Sequence, residues 1–196
     1  MMKDIANQFR IARADEGAIL AELIEAASEG LALYTWTKDA APSEDPWVRG
    51  ADRQGKAAAE GKWIVAIEGD APVAGLRGER LPDEPEPIPE DFEPLFRPLQ
   101  ELENAAPGTW YVHVLATRAH HRGEGWGTKL LTLAEEIALG MGCKTLSIIV
   151  ADNNTGARRL YERFGFEEAE RRAMVKGEWQ SEGTEWVLMR KPIGAR

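Results

Sequence analysis

Residues 9–12 alternate apolar and polar side chains, the period of an opening strand. From Asp15 the period becomes helical. Ile19, Leu20, Leu23, Ile24 and Ala27 fall on one face, Asp15 is placed to cap the start, and Gly30 ends the run near Ser28. Residues 31–46 set Tyr34 and Trp36 among turn residues, and a polar, alanine-rich helix follows over about 47–60. Residues 63–67 and 72–76 are apolar runs about a Gly69-Asp70 turn, which predicts a hairpin. Residues 110–117 and 144–150 are further strand-like runs. Between them Leu130, Leu133, Ala134, Ile137 and Met141 recur at helical spacing, with Gly140 and Gly142 as stops. A helix capped by Asp152 or Asn153 is expected to reach Phe164 and end at Gly165. Two strands, 166–176 and 184–189, close the chain around the loop 177–183.

One stretch breaks this pattern. Six of the eleven prolines lie between Pro82 and Pro98, and seven acidic residues between Glu79 and Glu93. Such a segment supports neither a central strand nor a helix. Phe92, Leu95, Phe96, Leu99 and Leu102 follow at spacings of three and four, which predicts a short helix ending before Pro107-Gly108. Because strands flank it on both sides, residues 79–108 read as an insertion within a single domain spanning 1–196. Strands separated by helices, with two hairpins, imply an α/β (α+β) fold: a mixed sheet covered on both faces.

Composition narrows the function classes. Of 196 residues 43% are hydrophobic, enough for a sizeable core, yet no run of 18 apolar residues offers a membrane span. Met1-Met2-Lys3-Asp4-Ile5 lacks the apolar segment of a signal peptide. The single cysteine, Cys143, excludes an internal disulfide and reads as a buried thiol. Together these features suggest a cytoplasmic protein. A formal net charge of −9 argues against nucleic-acid binding and is compatible with a cationic substrate such as an amine.

The chemistry is concentrated at Arg122-Gly123-Glu124-Gly125-Trp126-Gly127-Thr128, between a strand and a helix. Backbone N–H groups of a glycine-rich turn and the helix N-terminus favour an anion there. Gly123, Gly125 and Gly127 miss the G-x-G-x-x-G dinucleotide spacing, and no lysine–hydroxyl pair completes a P-loop. The spacing that fits is R-x-x-G-x-G, read as Arg122-x-x-Gly125-x-Gly127. Downstream stands Asn154-x-x-Ala157-x-x-Leu160-Tyr161-x-x-x-Gly165-Phe166. The two segments together resemble the signature of the GCN5-related N-acetyltransferases (GNAT), clearly over about residues 109–168 and more weakly elsewhere.

That resemblance implies a mostly antiparallel sheet of about seven strands flanked by about four helices, splayed between strands 4 and 5. It implies acetyl-CoA as co-substrate and no metal. The N–H groups of Gly123, Glu124, Gly125, Trp126, Gly127 and Thr128 would meet the pyrophosphate, with the Thr128 hydroxyl beside them. Arg122 would meet a phosphate or hold the loop's shape. Leu115, Ala116 and Thr117 would pair their backbone with pantetheine as an added strand. Asn154, with Ala157 on the same segment, would bond pantetheine; capping the helix is the other role open to Asn154. Arg158 or Arg159 could meet the 3′-phosphate. Tyr161, two helical turns after Asn154, would protonate the departing thiolate as a neutral donor, or else pack in the core.

The base is less defined. The family often carries a carboxylate on the strand before the loop, and none occurs in residues 110–117. His113 shares a face with Tyr111, Leu115 and Thr117 and is the titratable group there, with Glu101, Glu103 or a water chain as substitutes. His120 and His121 are expected to be exposed. Tyr34, Trp36, Trp47 and the acidic insertion are the candidates for acceptor recognition. The activity implied is transfer of an acetyl group to a primary amine by direct attack in a ternary complex, the acceptor being a small molecule or a peptide. A longer acyl donor, a hydroxyl acceptor and a non-catalytic acyl-CoA sensor are the alternatives. Dimerisation is frequent in the family, but no residue marks it here.

Overall fold

A computed structural model describes residues 8–194; Met1 to Ile5, read above as lacking the apolar segment of a signal peptide, lie outside them. Seven strands form one open sheet: β1 (Phe9–Ile11), β2 (Ile64–Glu68), β3 (Ala71–Arg80), β4 (Trp110–Thr117), β5 (Thr145–Ala151), β6 (Glu167–Ala173) and β7 (Glu185–Pro192). Their order is β1-β2-β3-β4-β5-β7-β6. Antiparallel pairing joins β1 to β2, β2 to β3, β5 to β7 and β7 to β6, whereas β4 and β5 run parallel. The parallel ladder matches Trp110, Tyr111 and Val112 with Leu146, Ser147 and Ile148, and β4 runs on to Thr117 beyond it.

Six α-helices occur among the described residues, where about four were expected: α1 (Gly17–Ser28), α2 (Leu31–Asp39), α3 (Pro46–Ala59), α4 (Arg97–Asn104), α5 (Trp126–Gly140) and α6 (Thr155–Phe164). No described helix is long and apolar enough to cross a membrane. The unexpected helix is α2, where turns were expected. Its threonines bond back to carbonyls one turn earlier, Thr35 to Ala32 and Thr37 to Leu33, and Trp36 anchors it at 3% exposure. Tertiary burial outweighs the weak helix preference of its β-branched and aromatic residues. Nor does Asp15 cap α1. A 3₁₀ turn (Ala14–Glu16) precedes it, and Glu16 accepts from the Arg13 backbone N–H at 2.7 Å and from Arg10 Nη1 at 2.8 Å. These bonds, the Arg10 one foremost, hold the buried Glu16 carboxyl below its ordinary range. Strand β3 continues to Arg80, just before the prolines.

The chain divides into two compact units. One comprises the residues up to Arg77 with Val114–Leu130, and the other Gly78–His113 with the residues from Leu131 on. The first unit's core gathers Leu20, Leu23, Ala57, Ala58, Trp63, Val65, Val114 and Ala116. The Trp63 indole donates to the buried Gln54 at 3.1 Å, satisfying a polar group that would otherwise be stranded. Close backbone approach joins α1 to α3. A Cβ on Gly17 would stand 2.2 Å from the Ala51 carbonyl oxygen, and one on Gly50 2.5 Å from the Trp36 ring.

In the second unit Leu102, Leu146, Leu188 and Met189 are almost wholly buried. The outer strand β6 is mostly exposed and charged, a composition that blunts an open sheet edge. Its Arg171 bridges Glu168 and Glu185, and its Arg172 reaches Glu101 of α4. Trp179, in the β6–β7 connection, stacks on Trp186 of β7 at 5.8 Å between centroids and 7° between planes.

Gly17→Ala is expected to destabilise the protein by about 2 kcal/mol, since rigid backbone stands where its methyl must go. Urea unfolding followed by circular dichroism measures this, and an unchanged midpoint would show that α1 and α3 can separate without penalty.

Candidate active site

In the first unit, β4 leads into the glycine loop. Arg118 donates its backbone N–H to the Val73 carbonyl at 2.9 Å, a 3₁₀ turn (Ala119–His121) follows, and α5 begins at Trp126. Gly123 and Gly125 have φ of 84° and 85°, the left-handed region in which a Cβ is strained. An added Cβ at either meets nothing within 4 Å, so the backbone there lies against open space. The first N–H groups of α5 lack partners within the helix, which directs partial positive charge outward.

The loop is braced from beneath. The Glu124 carboxylate accepts from the Trp126 indole at 3.0 Å and lies 3.2 Å from His121 Nδ1. The Trp126 bond, with a contribution from His121, holds Glu124 below its ordinary range. Trp126 is buried, with Lys129 Nζ 4.0 Å over its ring and Phe9 edge-on. Contrary to expectation His121 is half-buried, because it also lies 3.4 Å from Glu68; His120 is exposed. Arg122, Gly123, Glu124, Gly125 and Thr128 are exposed, Gly127 half-buried. On β4, Leu115 and Thr117 are half-buried and Ala116 is buried. Trp36 and Trp47 pack edge to face at 5.8 Å; Trp36 belongs to the core, whereas Trp47 is 40% exposed.

In the second unit, Asn154 proves to be the cap of α6, accepting from the Ala157 N–H at 3.1 Å. Asp152 and Asn153, the residues expected to cap, do other things. Asp152 accepts from the Thr184 N–H at 2.8 Å and its hydroxyl at 2.7 Å, tying the turn to β7, and Asn153 is exposed. Arg158 is engaged by Glu168 at 3.1 Å, while Arg159 is exposed. Cys143 is buried. Tyr161, 5% exposed, packs on Phe166 at 5.8 Å, and burial raises its pKa well above that of an ordinary phenol.

His113 is exposed and stacks at 5.7 Å on Tyr111, which is 5% exposed. Tyr111 too is pushed well above the ordinary phenol range, by burial and then by the charges of Glu103 and Glu79. Glu103, at the end of α4, is pushed up to about 7, by burial first and then by Glu79 and Glu86. Its neighbour Glu101, the other carboxylate considered from the sequence, is paired with Arg172 at 3.1 Å. Glu79 and Glu86 were counted from sequence as part of an acidic stretch. Only the fold shows them acting on Glu103, and no local spacing signals it. Among the described residues no group of His, Cys, Asp or Glu is arranged to hold a metal ion.

A profile of the acetyltransferase (GNAT) family matches residues 24–166. A probable spermine N(1)-acetyltransferase from Bacillus subtilis subsp. natto is 41% identical over 49 residues, a match covering 24% of this chain and 32% of that protein. Thus the chain spans about a third of that relative's length. Among solved structures, PH1933 from Pyrococcus horikoshii OT3 is similar with a TM-score of 0.62 at 18% identity, over 95% of this chain and 98% of that one. PaiA N-acetyltransferase from Thermoplasma acidophilum, solved in complex with coenzyme A, gives 0.58 at 13% identity over 94% and 98%. At such identities the structural likeness bears on fold alone.

Removing the Asn154 cap in Asn154→Ala is expected to cost about 1 kcal/mol of stability, and Asn154→Asp to restore most of it. Chemical denaturation of the two variants checks this; equal losses would mean that the side chain is held for something other than capping.

Proposed function

Since the chain belongs to the acetyltransferase (GNAT) family, we propose that it transfers an acetyl group from acetyl-CoA to a primary amine, by direct attack in a ternary complex. Gly123 and Gly125, left-handed and facing open space, suit backbone contact with a diphosphate. Gly127, Thr128 and the neighbouring N–H groups complete that cradle. The exposed Arg122 meets phosphate, and Leu115, Ala116 and Thr117 of β4 offer backbone to the pantetheine amides.

The observation that carries the catalytic reading is a divergence of two titratable groups around Tyr111. Glu103 is pushed up to about 7, whereas Tyr161 is held protonated far above that. Groups driven apart in this way divide into base and acid. The incoming ammonium loses a proton to Glu103, the free nitrogen attacks the thioester carbon, the C–S bond breaks as Tyr161 donates its proton to the departing sulfur, and the second proton that the nitrogen sheds as the amide forms returns to the Tyr161 phenolate. Glu103 is assigned the base role rather than His113 because it is half-buried, whereas His113 is exposed.

Two measurements test this. Acetyl-CoA at a hundredfold excess over its Kd should raise the thermal midpoint by roughly 5 °C or more, and Gly125→Ala should lose most of that rise. No rise in the parent protein would remove the acetyl-CoA assignment. In the pH profile of kcat/KM for thiol release, an inflection near 7 is expected, with activity rising as the base deprotonates. Glu103→Gln should erase this inflection and lower kcat by about 100-fold or more, and Tyr161→Phe should lower kcat at unchanged amine KM. If the inflection survives in Glu103→Gln and vanishes in His113→Gln, the base is His113.

A further inference from the structure

Resting on that reading of the glycine loop, we propose that His121 is a positioning residue for the cofactor: its imidazole, held between Glu68 and Glu124, takes up a proton from solvent when the diphosphate enters the loop, and so links cofactor affinity to pH.

The histidine stands at the foot of the loop. Its 3₁₀ turn is tied to the sheet, since the His121 N–H donates to the Arg118 carbonyl at 2.9 Å and the Arg118 N–H to the Val73 carbonyl at 2.9 Å. His121 lies two residues before Gly123, and its Nδ1 is 3.2 Å from a Glu124 oxygen and 3.4 Å from a Glu68 oxygen. Glu124 belongs to the loop itself, between Gly123 and Gly125. A carboxylate in a loop that receives an anion runs against electrostatics, because like charges repel. Here its Oε2 is turned to the Trp126 indole and to His121. These contacts, Trp126 foremost, keep Glu124 below its ordinary range, so it stays ionised across neutral pH.

The other charged groups around the imidazole come from each neighbouring element. Glu68 ends β2, and Asp70, in the turn before β3, acts on Arg10. Lys129 of α5 supplies fixed positive charge, but its Nζ sits 4.0 Å over the Trp126 ring and bonds Gln8 at 3.2 Å. Arg118 is drawn to Glu22 at 3.7 Å. Two carboxylates therefore share one imidazole nitrogen. A neutral ring offers them a single hydrogen there, and an imidazolium offers that hydrogen together with a full positive charge.

Entry of a diphosphate adds negative charge beside the same ring, and nearby negative charge favours the protonated form of a histidine. The imidazolium in turn holds Glu124 aside and leaves the loop's N–H groups to the phosphates. By linkage, a ligand that favours protonation is itself bound more tightly by the protonated site. Affinity is therefore full below the titration of the free protein's histidine and falls as pH rises towards that of the complex.

The probe is dephospho-CoA, which carries the diphosphate but lacks the 3′-phosphate, a group that itself titrates at about pH 6. Calorimetric titration at low salt, in two buffers of different ionisation heat, counts the protons taken up and gives the affinity. Binding is expected to take up roughly half a proton near neutrality and to weaken by about 5-fold from about pH 6 to about pH 8. His121→Gln, whose thermal midpoint checks that it folds, should bind without uptake and with an affinity independent of pH. His120→Gln, at the exposed neighbour, should keep both. Equal affinity across this range without uptake in the parent protein overturns the proposal and leaves the cofactor assignment standing. Uptake that persists in His121→Gln or disappears in His120→Gln overturns it likewise. Binding of acetyl-CoA without dephospho-CoA would put recognition at the 3′-phosphate and overturn it as well. Binding of neither, at any pH, overturns the acetyl-CoA reading and this proposal with it.

Discussion

The short parallel ladder between β4 and β5 is the constraint from which the rest follows. Three residues of β4 are matched to β5, and just before them the Thr109 and Ser147 hydroxyls bond each other at 2.7 Å in the buried interior. The Thr109 hydroxyl donates to the Ala106 carbonyl at 2.8 Å and so accepts from Ser147; slippage would strand that buried Ser147 donor, which sets register more strictly than apolar packing. With register set, Tyr111 is fixed in direction, Gly78 must lie against it, and β4 leads onward to the glycine loop. Parallel pairing also needs a long crossover, which here carries both the loop and α5.

Much of this was legible in the chain. The strand runs, the helix after the loop and the helix closed by Gly165 emerge from period and punctuation alone, because burial on one face leaves a regular imprint on sequence. The R-x-x-G-x-G and Asn154 to Phe166 segments led to the family that the profile match then showed. What escaped was decided by contacts distant in sequence. Helix α2 exists because Trp36 is buried, not because its residues favour a helix. The start of α1 is organised by Glu16 through Arg10, where a conventional cap was expected at Asp15. The environment of Glu103 depends on Glu79 and Glu86, 24 and 17 positions earlier, and no period encodes such a meeting.

The acidic insertion illustrates how one composition serves two ends. Its prolines exclude it from the sheet, and its backbone is nonetheless fastened at Asn104 and at Arg97. A segment read from sequence as a break in the fold is thus a positioned element, and its charge alters the protonation of a residue on a neighbouring helix.

The stacked indoles of Trp179 and Trp186 have an optical consequence. Two nearly parallel chromophores at 5.8 Å couple their transitions, and such coupling yields a paired signal in circular dichroism that an isolated indole lacks. Both rings belong to the second unit, and the buried, hydrogen-bonded Trp63 belongs to the first. The Trp36–Trp47 pair of the first unit, also at 5.8 Å but edge to face, couples with a different geometry, so each unit carries an indole pair of its own optical character without any dye attached.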